Sequence, residues 1–185
     1  MKIIKKVIRF FIVFILVMTA GMGCSDSSNS PDLDNEDMGV GKAVVDVTGS
    51  ITDEHTGAAF FTNPNHAFNI LLGGHDDDDF DVDITKVDFD RGVSIPSAGT
   101  YSIGNLDSDD FRADYVNRGL GGRFFGDHHY TSDLAGGNGI LVLESVSSNL
   151  ITGSFEFTAS LGALSDGTPV DPVTVSGTFS AVLDE

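Results

Sequence analysis

Along most of this chain apolar and polar residues alternate with a period of two, the pattern of a strand with one face buried. Ala43, Val45, Val47, Gly49 and Ile51 fall on one face of the first such stretch, with Val44, Asp46, Thr48 and Ser50 on the other. AAFFT (58–62) and HAFNILL (66–72) follow, parted by Asn63-Pro64-Asn65, residues that favour a turn. Phe80, Val82 and Ile84 then alternate with Asp79, Asp81 and Asp83, and Val87 and Phe89 with Asp88 and Asp90. The apolar parity slips between Ile84 and Val87, which predicts a β-bulge or tight turn near Thr85 and Lys86. GTYSIG (99–104) and GILVLESV (139–146) read as strands, and 111–116 as a strand or one helical turn. Ile151, Gly153, Phe155, Phe157 and Ala159 line the next strand, and Val173, Val175, Gly177, Phe179 and Ala181 the last.

Outside the first 23 residues no amphipathic helix of ordinary length is visible. Eight to ten short strands separated by Gly, Pro and Asp turns predict an all-β fold, an antiparallel β-sandwich or else a closed, lipocalin-like β-barrel. The last two strands share a phrase, ITGSF (151–155) and VSGTF (175–179), echoed by VTGSI (47–51) in the first. The spacing is irregular, so the phrase is no solenoid repeat. It marks either a pleated position where Gly makes room for a neighbouring large side chain, or chance in a chain rich in Val, Ser, Thr and Gly.

The N-terminus departs from this pattern. Lys2, Lys5, Lys6 and Arg9 precede the unbroken apolar run FFIVFILVM (10–18), and the residues then turn small as far as Gly23. That is the layout of a secretory signal, and the apolar run is short of the roughly 20 residues a membrane span needs. Cys24, the chain's only cysteine, follows at once. The segment resembles a bacterial lipoprotein signal. The resemblance implies cleavage before Cys24, diacylation of its sulfur and acylation of the new amine. Since each buried methylene contributes about 0.8 kcal/mol, two or three chains hold essentially permanently. The alternative is a soluble secreted chain, cut by ordinary signal peptidase after the small-x-small sequence Gly21-Met22-Gly23. A lone thiol in an oxidising compartment favours the lipoprotein.

Residues 1–23 are therefore expected to be a signal peptide. Residues 24–41, rich in Ser, Asn, Asp and Glu, have too few apolar side chains to order themselves and form an acidic tether. Residues 42–185 form a single β-domain. The acidic run after the cysteine also resembles the surface-export signals of some lipoproteins, and the β-domain is similar to small β-domain lipoproteins, a likeness that implies a fold and no activity. The expected location is the bacterial cell envelope, lipid-anchored at the outer membrane and facing either the periplasm or the surface.

Charge narrows the partners. Four of the ten basic residues sit in the leader, so the chain from Cys24 onward carries six against 28 acidic ones, a formal charge of −22. Nucleic acid and anionic lipid both select a cationic surface, so neither is an expected partner of the domain. A protein or glycan of the envelope is.

Three stretches hold candidate chemistry. In GGHDDDDFDVD, Asp76, Asp77, Asp78, Asp79 and Asp81 offer oxygens to a calcium ion, which takes six to eight. Asp77, Asp79 and Asp81 echo the opening of an EF-hand loop, but Val82 stands where Gly is needed and Asp88 where Glu is. Strand side chains on one face lie about 6.6 Å apart, so a calcium site would draw on the turn at Asp76–Asp79 and a loop such as Asp107, Asp109 and Asp110. The alternative is a solvated edge strand whose charges block aggregation. Of the five histidines none has a metal-binding spacing, and the adjacent His128 and His129 point to opposite faces of a strand. Gly126-Asp127 suits a two-residue hairpin turn, which would set Arg123, Phe125, His128 and Tyr130 on one face as a ligand or protein contact, or else put one face of the hairpin in the core. No GxSxG elbow or phosphate-cradling glycine loop before a helix occurs. The expected function is a non-catalytic binding or structural module, with a calcium-dependent surface module and a barrel carrying a small apolar ligand as alternatives, and no cofactor unless calcium.

Overall fold

The computed structural model describes residues 39–74, 79–104, 111–119, 128–134 and 136–184. The strands in chain order are β1 (Lys42–Gly49), β2 (Asp53–Thr62), β3 (Ala67–Gly73), β4 (Phe80–Val87), β5 (Gly99–Ile103), β6 (Arg112–Asn117), β7 (His129–Thr131), β8 (Asn138–Val146), β9 (Leu150–Ala159), β10 (Gly162–Ala163), β11 (Pro169–Val170) and β12 (Val173–Leu183). Ten of them form one sheet, ordered β5-β8-β9-β12-β1-β2-β3-β4-β6-β7, and β10 and β11 pair separately. Neighbours along this order are antiparallel. Where β1 begins, β12 and β2 close over its start and pair in parallel, Val182 with Phe60 and Leu183 with Phe61. The expected antiparallel all-β architecture is thus what the chain adopts.

The sheet curls until its two margins touch. Isolated bridges join Ile103 to Phe111 and Thr131 to Ser160. At the first, the Phe111 amide donates to the Ser102 carbonyl (3.0 Å) and the Gly104 amide to the Phe111 carbonyl (2.7 Å). A large sheet that twists and curls in this way shortens the exposed edges through which strands aggregate. It also gives the chain one inside. The inward parity of each strand fills it: Ala43, Val45 and Val47 from β1, Phe68, Ile70 and Leu72 from β3, Phe80, Val82 and Ile84 from β4, and the expected faces of β9 and β12 are all buried.

The recurring phrase has a structural meaning in two of its three copies. β9 and β12 pair so that Gly177 stands opposite Phe155 and Gly153 opposite Phe179. A Cβ on Gly177 would lie 2.9 Å from the tip of the Phe155 ring and 2.4 Å from the Val44 carbonyl oxygen. One on Gly153 would meet the tip of Phe179 at 2.9 Å. Each glycine is the space its partner's ring occupies. Gly49 serves differently: it ends β1 with φ of +117°, against the Pro172 carbonyl.

Two local expectations are corrected. β3 and β4 pair without interruption from Gly73–Asp81 to Ala67–Val87, so no bulge lies at Thr85 and Lys86. The parity slips because the inward set ends at Ile84, and Val87 and Phe89 are exposed. The register shift in this sheet falls instead between Leu143 and Ser145 on β8. The ambiguous 111–116 stretch is the strand β6 and its approach.

Candidate functional site

The most heavily hydrogen-bonded polar cluster that faces the interior is centred on His55. β2 begins at Asp53, so His55 shares the inward parity of Gly57, Ala59 and Phe61 and is only 4% exposed. Its ring stacks on Phe80, centroids 4.6 Å apart and planes at 17°. Nδ1 lies 3.0 Å from Asp79 Oδ1, and Nε2 lies 3.0 Å from the Tyr115 hydroxyl and 3.6 Å from Asp53 Oδ2. A carboxylate can only accept, so Nδ1 carries the proton and Nε2 accepts from the phenol. Burial holds the Tyr115 phenol well above its ordinary pKa, with the charges of Asp53 and Asp79 adding to the rise and a hydrogen bond with Asn117 opposing it. Tyr115 therefore remains a neutral donor. Tyr130 stacks beside it at 5.8 Å, and burial raises its pKa too. The buried Asn117 donates through Nδ2 to Asp53 Oδ2 at 3.2 Å.

Asp79 links this cluster to the chain around it. Its carbonyl accepts from the amides of Arg118 (2.6 Å) and Gly119 (3.0 Å), while its carboxylate holds His55. The cluster is thus a hydrogen-bonded chain, Asp79–His55–Tyr115, that fixes the approach to β4 against the end of β6. A histidine acting as a general base must present a nitrogen to its substrate; here both are engaged and the ring is stacked, which suits a lock between strands.

A second cluster lies on the outer parity of β4 and β6. Arg112 bridges Asp114 (Nη2 to Oδ2, 2.8 Å) and Asp133 (Nε to Oδ2, 3.1 Å), and His129 Nε2 reaches Asp114 Oδ1 at 3.2 Å. Asp83 stands directly opposite Asp114. Burial pushes the Asp83 carboxyl above its ordinary pKa, and the neighbouring Asp114 and Asp81 charges add to that, against the Thr85 hydroxyl and Arg112.

The residues singled out from sequence are distributed as follows. Cys24, Asp76, Asp77, Asp78, Asp107, Asp109, Asp110, Arg123 and Phe125 lie outside the described residues. Asp79 is committed to His55, and Asp81 accepts from Arg118 Nε at 2.5 Å. A calcium ion using either carboxylate would share it with a histidine or a guanidinium. Among the described residues no group of three His, Cys, Asp or Glu side chains is placed to hold a metal. Tyr130 is 2% exposed and pairs with Tyr115 across β6 and β7, while His128 sits half-buried at the turn before β7. Sequence reasoning missed Asp53, His55, Tyr115 and Asn117 as a group. The one available signal was parity: DEHTGAAFF continues the alternation back from Phe61 to a histidine. No protein-family model, curated protein or solved structure matches this chain.

Proposed function

We propose that this chain is a bacterial envelope lipoprotein. Acyl chains on Cys24 anchor it at the outer membrane, residues 24–41 tether it, and its β-domain is a non-catalytic binding or structural module. The observation that carries this is the placement of the only cysteine, directly after a basic, then apolar, then small-residue leader and directly before an acidic run. The interior supports the non-catalytic part. Its buried His55 is spent on the Tyr115 hydroxyl and, at the surface, on the Asp79 carboxylate. Its space is taken up by Phe61, Phe68, Phe80, Phe111, Phe157 and Phe179, each fully buried, which favours a packed core over a carrier of apolar ligands. With six basic side chains against 28 acidic, the partner is a protein or glycan of the envelope rather than nucleic acid.

Metabolic labelling with a fatty acid, followed by detergent phase partitioning, tests the anchor. The parent chain is expected to take up label and enter the detergent phase, and Cys24→Ala to do neither. If both forms remain unlabelled and aqueous, the secreted alternative replaces this reading. A calcium titration followed by melting temperature tests the acidic stretch, since a ligand that binds only the folded state raises the midpoint.

A further inference from the structure

The strand connections sort the exposed surface into two unlike ends. Antiparallel alternation puts the chain's entry at Gly39–Gly41, the 63–66 turn, the 88–98 loop, the 147–149 turn and the C-terminus at one end of the sheet. Hydrogen bonds tie these segments into a continuous rim. The Gly41 amide donates to the Ser180 carbonyl, Leu183 to Asn149, Asp184 to Phe61, Asp88 to His66 and Val93 to Asn65. Between the 88–98 loop and the 147–149 turn lies a shallow hollow of about 390 Å³, lined by Ile95, Pro96, Ala98 and Val146 with three serines.

Among the described residues six large hydrophobic side chains are exposed, and four belong to this rim: Val40 (68%), Phe89 (83%), Val87 (37%) and Leu183 (38%). Nothing in folding the domain accounts for Phe89, the most exposed of them, held out on a turn that the Asp88 carboxylate braces by accepting from the amides of Asp90 and Arg91. Charge is divided the same way. Three of the six basic residues after Cys24, namely Lys42, Lys86 and Arg91, stand at this end, against Asp88, Asp90, Glu144 and Asp184. At the opposite end Arg118 faces Asp53, Glu54, Asp79, Asp166 and Asp171. Among the described residues the domain, strongly acidic as a whole, is thus close to neutral, and apolar, where residue 39 enters it.

We infer that this rim is a membrane-docking face, and that its occupant is the bilayer surface to which the chain is tied. The inference rests on the lipoprotein reading of Cys24. Fourteen residues lie between Cys24 and Gly39, a reach of roughly 50 Å at most, so the rim is the part of the domain delivered first to the lipid. Tethering of this kind gives an effective concentration in the millimolar range, so a few apolar side chains and Lys42 and Arg91 suffice to seat the domain, with the acidic end turned outward toward a partner. Near-neutrality matters because a surface carrying the full acidic charge would be repelled by anionic headgroups.

The chain contains no tryptophan, so one introduced residue reports alone. Full-length lipidated Phe89→Trp and Leu164→Trp, the latter on the exposed Leu164 of the opposite end, are reconstituted into vesicles of dibrominated phosphatidylcholine. Melting temperature confirms that both variants fold like the parent. The expected result is quenched, blue-shifted emission at position 89 and emission at position 164 unchanged from that in unbrominated vesicles. Equal quenching at both positions, or none at 89 in a chain that carries acyl groups by mass and floats with the vesicles, overturns the docking face and leaves the anchor standing. A chain without acyl groups that stays in solution overturns both.

Discussion

Where β9 and β12 run side by side, Phe155 stands over Gly177 and Phe179 over Gly153, and the contact is carbon against carbon. At the head of β2, His55 is gripped by Asp79 and Tyr115 and only its ring face meets carbon, on Phe80. The first arrangement is specified by volume. Its two rings, 6.4 Å apart, fit because two Cβ atoms are missing, and any added atom must push a ring or a carbonyl. The second is specified by hydrogen-bond count, since each ring nitrogen needs its partner and burial makes a missing partner costly. The same curled sheet therefore has one region intolerant of size and another intolerant of polarity changes that leave size alone.

The comparison breaks most visibly at the rings. Phe179→Ala is expected to cost about 3–5 kcal/mol, the range for emptying a buried aromatic site, read as a drop in the denaturant midpoint with an unchanged slope. Gly177→Ala comes next, at about 1–3 kcal/mol for overpacking. Phe155→Ala should reduce the cost of Gly177→Ala without abolishing it, because the Val44 carbonyl remains 2.4 Å from the added Cβ. A double-mutant cycle in which the two costs simply add would show that the ring is not what fills the glycine's place.

How legible these two regions were in the sequence follows from the same contrast. The β9–β12 seam is written locally: both phrases fall inside clearly alternating strands, and Gly two residues before Phe fixes which ring meets which gap once the strands are antiparallel. Only the pairing of those two strands was hidden. The His55 cluster is written nowhere locally. Its partners lie 24 and 60 residues away, and the start of β2 carries Asp, Glu, His and Thr, which do not announce a strand. Alternation was also overextended at Val87 and Phe89, since period two persists into an exposed strand end. The pattern ahead of Cys24 is legible for the opposite reason: basic, apolar and small residues follow one another in linear order, and reading them needs no partner from elsewhere in the sequence.

Tyr115→Phe probes the polar side of the comparison at constant volume. It removes the donor to His55 Nε2 while keeping the ring stacked beside Tyr130. The expected loss is about 1–3 kcal/mol, that of a buried acceptor left unpaired, whereas Phe61→Tyr, which adds a hydroxyl in the all-carbon core, should fail by overpacking. If Tyr115→Phe were neutral, Asn117, whose Nδ2 is the neighbouring donor, would have to supply the missing contact, and Asn117→Ala would then become costly in that background alone.

The smallest effect concerns Asp83, on the outer parity of β4. Its folded pKa is raised, chiefly by burial and further by Asp114 opposite. Between the unfolded pKa and that higher value the native state holds more proton than the unfolded chain, so stability falls as pH rises through this window. The ionised carboxylate is therefore a penalty at neutral pH. Asp83→Asn, which still lets the Thr85 hydroxyl donate to its side-chain oxygen, should melt higher than the parent at about pH 7, with the two curves converging near pH 3 once both groups are neutral. The opposite order at pH 7 would mean that Arg112 outweighs burial and that the outer cluster is held by its charges rather than in spite of them.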